Sequence, residues 1–226
     1  MLKGSSKSND TMRVYYLTNA EYAISNIALK RIKVSRYQDL NDPFELLAAD
    51  LSDKNVRKEL RKIKRKIEDE QGIICFSTTW DNPLLWGHYA DKHRGIALGF
   101  DIPKSMLQKV EYEKDLSKVT LEKCSDEIYI KKLSLTKFEH WKYENEYRLH
   151  IDLKLESEDS GLYFKYFSND LKLREVILGV KCTVPISSMC KFFEEKNEKV
   201  EVIKSRIAYK DFKIVKNKLA TRNNSC

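Results

Sequence analysis

Apolar and polar positions switch period along this chain. Arg13-Val14-Tyr15-Tyr16-Leu17 alternates and is rich in β-formers, so it predicts a short strand. Thr18 or Asn19 can cap a helix over 20–29, with Tyr22, Ile24, Ile27 and Ala28 as its apolar face. A second strand follows over 31–35, and Pro43 in Asn41-Asp42-Pro43-Phe44-Glu45 is placed to start a helix. Val56, Leu60, Ile63 and Ile67 recur at spacings of three and four, which predicts a helix over 53–70, ended by Gly72. Further strands are expected over 73–79, 95–101, 110–112, 146–153, 162–167 and 174–180, with a closing hairpin of 200–207 and 212–215. Helices are expected over 84–91, after Pro103, over 120–139 and over 186–196. The 120–139 helix would bury Leu121, Cys124, Ile128, Leu133, Leu135 and Phe138.

Strands and helices interleave, but the strands are short and partly alternating. That argues for α+β: a single domain with a mixed, largely antiparallel sheet flanked by helices. The chain has neither internal repeat nor Gly/Ser/Pro-rich linker. Residues 12–216 read as the domain, with polar tails at 1–11 and 217–226.

The 226 residues suffice for one core, and 42% hydrophobic with 34% charged residues fits a globular chain. The sequence has no apolar run of the ~18 residues that suggests a membrane span. Met1–Asp10 is polar and lacks the apolar centre of a secretory signal. Five cysteines, scattered and odd in number, suit reduced thiols in a cytoplasm better than a disulfide framework. A net charge of +8 favours phosphate-rich partners; a lysine-rich solvated surface gives the same number. The basic face of the 53–70 helix, Arg57 to Lys66, reads either as a phosphate-tracking ridge or as such a surface.

The P-loop, the dinucleotide-binding glycine fingerprint, the paired-histidine zinc helix and the serine-hydrolase elbow are all missing from the sequence. Site-type residues concentrate instead in Cys75–Ala90: a strand ending in Ser77, Thr78 and Thr79, then a helix with Trp86, His88 and Tyr89. Small polar groups at a strand end beside aromatic faces make a ligand pocket. Trp86 and Tyr89 share a helix face, which serves either as a shelf or as core packing. Glu144 and Glu146 lie two apart, so extended backbone would aim both to one face about 7 Å apart. They either serve a sugar-cation transition state or form ion pairs with Arg148 or a lysine. Glu175, opening an apolar strand, is a third acid of either kind.

Taken together, Asn41-Asp42-Pro43-Phe44-Glu45, Cys75-Phe76-Ser77, Trp86-Gly87-His88-Tyr89-Ala90, Gly95, Gly99-Phe100-Asp101, Trp141–Arg148 and Ile177-Leu178-Gly179 resemble the bacterial and phage family called domain of unknown function 2971. The resemblance runs from about Tyr15 to Gly179; Tyr147 stands where the family more often has Trp, and Gly87 where it often has Ser. It implies cargo of prophages and defence loci, hence a phage-defence or toxin role. A second resemblance, to ADP-ribosyltransferases, lies in the order of three elements. These are a first strand with Arg13 or Tyr16, the Phe76-Ser77-Thr78-Thr79 strand, and Glu144-Asn145-Glu146 or Glu175.

That resemblance implies NAD as substrate, in a cleft beside Ser77 and Thr78. Tyr89 or Trp86 would stack nicotinamide, Arg13 would contact a phosphate, Tyr16 would line the cleft, and Glu146, Glu175 or Glu144 would steady the cation. The acceptor would be nucleic acid or protein. The opposing expectation is a non-enzymatic module that recognises a phage component or nucleic acid. A third is a metal-dependent nuclease built on Asp101 and one of the glutamates.

Overall fold

Alternating segments become strands and the three-four segments become helices in a computed structural model that describes residues 10–222. β1 (Thr11–Thr18) leads through α1 (Ala20–Leu29) to β2 (Arg31–Arg36), and α2 (Lys54–Glu70) runs straight into β3 (Gln71–Ser77). Then come α3 (Pro83–Tyr89), β4 (Ile96–Pro103), β5 (Gln108–Lys109), β6 (Glu111–Glu113), α4 (Glu127–Leu133), β7 (Thr136–Phe138) and β8 (Glu146–Asp152). The rest is β9 (Ser157–Asp159), β10 (Leu162–Tyr166), β11 (Lys172–Leu178), α5 (Ile186–Glu195), β12 (Glu201–Ile207), β13 (Ile214–Lys216) and α6 (Lys218–Arg222).

The sheet is mixed and mostly antiparallel, in the order β13-β12-β11-β4-β1-β3-β2-β10-β9, with β8 on β3 and β5 on β8. Among the described residues, only β11 and β12 pair in parallel within it; β6 and β7 form a separate parallel pair. β4 is an interior strand between β11 and β1, and Ile96 to Phe100 are buried because both faces are covered. Val14, Phe76, Leu98, Phe100, Val176 and Phe193 belong to one continuous core, each worth about 1.5–3 kcal/mol when buried. The expected α+β domain is therefore present.

Several local expectations need correction. The 120–139 helix is broken into a 3-10 turn over Leu121–Ser125, then α4 and β7. Asp126 restarts the helix by accepting from the Ile128 amide, and Ser134 and Thr136 bond back to the Lys131 and Lys132 carbonyls. Cys124 and Leu133 are buried there, whereas Ile128 is 82% exposed. In α1 the inward positions are Ala23, Asn26 and Ile27, which share a face at the three-four spacing; Tyr22 points to solvent. Pro43 starts no helix. Asp42 instead accepts from the Phe44 amide at 2.9 Å and closes a turn that sends Glu45 inward. The amino-terminal tail expected over 1–11 is cut short by β1, and residues 1–9 lie outside the described residues. The carboxy-terminal tail contains α6, and residues 223–226 lie outside as well.

Gly95 allows the turn from α3 into β4, because a Cβ there would overlap the Thr18 carbonyl oxygen and Ala90. Gly95→Ala should therefore destabilise by about 1–3 kcal/mol, a drop of about 2–4 °C in melting midpoint per kcal/mol. Gly87→Ala, at a helical site where an added Cβ meets nothing, should raise the midpoint instead. Thermal melts of both variants check this; equal effects would contradict it.

Candidate functional site

A gap in strand pairing makes the site. On one edge β3 pairs with β2 at Gly72 and Ile73, and with β1 only where Tyr15 meets Ser77. Among the described residues, no strand pairs with that edge of β3 over 74–76. β1 and β2 thus diverge along β3, and a cavity of about 210 Å³ opens between them. Tyr15, Tyr16 and Leu17 line it from β1, Cys75, Phe76 and Ser77 from β3, and Tyr89 from α3. Asp39, Leu40 and Asn41 close one side; Lys137, Glu144 and Glu146 supply its charge. The row Tyr15, Ser77, Glu146 crosses β1, β3 and β8 in register.

Behind the cavity lies a buried network of three acids and two cations. Arg148, fully buried, donates to both oxygens of Glu45 at 2.8 and 2.5 Å and to Glu146 at 2.8 Å. Lys137 lies 2.6 Å from Glu144, 3.0 Å from Glu146 and 3.8 Å from Glu45. Tyr89 donates to the other oxygen of Glu144, and the Glu146 amide donates to Tyr112 Oη at 2.9 Å. Glu144 and Glu146 do not reach Lys137 along one strand, as extended backbone would have it. Glu144 ends a 3-10 turn, Asn145 is left-handed (φ 45°), and Glu146 opens β8.

The network splits its acids. Burial drives Glu146 upward, but Arg148 and then Lys137 outweigh it and bring the carboxyl down to about 2. Burial dominates at Glu144 and holds it above the usual carboxylate range, with Lys137 opposing. Glu45 is raised for the same reason, against Arg148. Burial works against the Lys137 charge, but Glu146, Glu144 and Glu45 outweigh it and keep the ammonium protonated. Burial, then Glu146, pushes the Cys75 thiol up, which makes it a poor nucleophile. Glu146 is thus held ionised, while Glu144, at the cavity wall, keeps its proton more tightly than an ordinary carboxylate.

Tyr16, Ser77, Tyr89, Glu144 and Glu146 are brought together. Four other expected residues are not. Trp86 is fully buried and donates to the Trp80 carbonyl at 2.6 Å, so it is core and no shelf for a ligand. Thr78 turns its hydroxyl to the Asn145 amide outside the cavity lining. Arg13 and Glu175 pair with each other in a separate open groove, and Arg13 also holds Asp101 at 2.7 Å. Asp101 is held from its other oxygen by Arg174 at 2.9 Å, so both oxygens are taken. Among the described residues no cluster of three potential metal ligands occurs. His88 meets Tyr143 Oη at 2.7 Å, not a carboxylate. On α2, Arg57 and Lys64 donate to the Leu51 and Glu45 carbonyls, while Lys58, Arg61, Lys62, Arg65 and Lys66 are exposed.

Sequence reading missed Glu45 and Lys137. Glu45 was hidden by the helix expected after Pro43, and Lys137 by the helix expected over 120–139. A lone lysine within Leu133–Phe138, in an otherwise uncharged stretch, was the available signal.

Replacing Arg148 by Met should cost about 3–5 kcal/mol, because it strands Glu45 and Glu146 without their cation. The Glu146 contribution has a definite pH window. Its folded pKa is depressed, so its stabilisation is complete above the ordinary carboxylate range and disappears as pH falls through about 2. The raised pKa values of Glu45 and Glu144 work oppositely, costing stability as pH rises past the ordinary range. Urea midpoints of wild type and Glu146→Gln should differ by a constant amount near neutrality and converge in acid. A gap independent of pH would contradict the assignment.

The chain is similar over residues 85–149 to a family described only as protein of unknown function, DUF2971. That stretch is less than a third of the chain; it carries Tyr89, Lys137, Glu144, Glu146 and Arg148 but not Ser77 or Glu45. No curated protein and no solved structure matches. Among the described residues, no helix is long and apolar enough to cross a membrane.

Proposed function

We propose that the cavity holds the nicotinamide end of NAD and that the protein transfers ADP-ribose to a macromolecule. The observation that carries this reading is the meeting of Tyr16, Ser77 and the Glu144–Glu146 pair, far apart in sequence, around one hollow. Its volume, about 210 Å³, is below the roughly 300–1,000 Å³ of sites that enclose a whole drug-sized ligand. It suits a flat ring with its ribose, leaving the rest of the dinucleotide outside.

In the reaction the bond between the ribose anomeric carbon and the pyridinium nitrogen breaks. Its electron pair goes to nitrogen, so nicotinamide leaves neutral. The anomeric carbon then bonds to an acceptor oxygen or nitrogen, which releases a proton. With all three acids ionised they outnumber the two cations by one, an excess negative charge favourable to a sugar cation in a desolvated site. Glu144, raised and cavity-facing, accepts the acceptor's proton; Glu146 stays ionised and sets the field. Ser77 and Tyr89 offer hydroxyls to orient the ring and ribose.

A second reading has one observation in its favour: Glu146 and Glu175 are each engaged by an arginine. A binding module needs no more of them than that. Incubation with labelled NAD separates the two. Glu144→Gln should lower nicotinamide release about 100-fold or more, and the wild-type rate should rise with pH as Glu144 loses its proton. If wild type releases no nicotinamide and labels neither protein, RNA nor DNA, the enzyme reading fails.

A further inference from the structure

The β12–β13 hairpin carries two large aromatics that the fold does not use. Tyr209 is 86% and Phe212 is 99% exposed, although both sit in a tightly closed turn. The Ala208 amide donates to the Lys213 carbonyl at 2.9 Å, and the Lys213 amide to the Asp211 carbonyl at 2.9 Å. The turn is also anchored. The Ile214 amide donates to the Asp81 carbonyl at 2.8 Å, and Lys213 Nζ lies 2.9 Å from the Asp81 carboxylate. The hairpin is therefore held rigidly against the loop that follows Ser77. Exposed aromatics displayed on an ordered turn point to a partner surface and not to packing.

Charge selects the kind of partner. Residues 206–218 hold Arg206, Lys210, Lys213, Lys216 and Lys218 against one acid, Asp211. Lys213 and Lys216 are partly spent on Asp81 and Glu201. Lys210 and Lys218 are exposed, and among the described residues neither forms an ion pair. The Arg206 guanidinium lies 4.3 Å from the Tyr209 ring centroid, which places a cation on one side of that ring. Flat apolar faces interleaved with free cations match unpaired bases strung on phosphates. An apolar protein partner would not need the cations, and a duplex hides the base faces.

We infer that the hairpin tip is a stacking platform for single-stranded nucleic acid, with Tyr209 and Phe212 taking bases and Arg206, Lys210 and Lys218 meeting phosphates. This surface does not rest on the reaction proposed for the cavity, and it is tested without NAD. The probe is a fluorescently labelled single-stranded oligothymidylate, followed by anisotropy with the full chain. The double variant Tyr209→Ala, Phe212→Ala should weaken binding about 30-fold or more, since each lost stack costs roughly 5-fold to 150-fold. Its melting midpoint should equal that of wild type, because neither side chain is buried. Lys210→Glu should weaken binding and flatten its salt dependence. The comparator, Lys58→Glu with Arg61→Glu and Arg65→Glu on α2, should change affinity much less. The inference is overturned if the oligonucleotide does not bind, if the aromatic variant binds like wild type, or if the α2 variant loses binding instead. It is also overturned if a duplex binds as tightly as the single strand. Loss of nicotinamide release in Glu144→Gln with unchanged oligonucleotide binding would leave it standing.

Discussion

Arg148 is the piece around which this molecule is arranged. It is an arginine with no exposed surface, bound to acids from two distant segments, the turn at Glu45 and the start of β8. A charge buried so deeply is tolerable only when paired and fully hydrogen-bonded. That requirement fixes the Asp42 turn on one side and β8 on the other, and Lys137 extends the same pairing to Glu144. Such a network is poor evidence for net stability, since its desolvation cost rivals its Coulombic gain. Its consequence is positional: it places two carboxylates of opposite character on one wall of a cavity.

The cavity itself is a product of sheet topology. β3 is shared by β1 and β2, but each touches it at a different place, and the unpaired stretch between them becomes the opening. Glycine completes the arrangement on β4. A Cβ on Gly99 would press on the Tyr15 ring and on Glu175, so the missing side chain lets Tyr15 lie between the cavity and the Arg13 groove. Burial, then Glu175, raises the Tyr15 hydroxyl to about 12, which keeps it a neutral hydrogen-bonding group at any working pH. Arg13 and Glu175, adjacent on this side, satisfy each other and leave the cavity's charge to the other acids.

Much of the fold was legible in the sequence because local rules and tertiary packing agreed. α2 carries a three-four stripe and an Asp53 cap, and β4 is a continuous apolar run as a strand covered on both faces must be. The reading failed where polar side chains overrode periodicity. Between Thr120 and Glu144, Asp126, Ser134 and Thr136 captured backbone groups that a single helix would have used. The site was half legible. Ser77 and the Glu144–Glu146 pair stood out by residue type, but the partners that differentiate the acids did not. Glu45 is 103 positions from Arg148 along the chain, and no spacing rule reaches that far. Trp86 misled for a related reason: an aromatic pair at helical spacing looks the same whether it faces a ligand or the core, and here Trp86 faces the core while Tyr89 faces the cavity.

The division of labour between the two acids can be read directly. A carbon-13 carboxyl titration of glutamate-labelled protein, with Glu144→Gln and Glu146→Gln used for assignment, follows each group by itself. Glu144 should titrate above the ordinary carboxylate range, and Glu146 should remain ionised until the solution is strongly acidic, near pH 2. Ordinary titration of both, or the reverse order, would contradict an acid that holds its proton beside one held ionised.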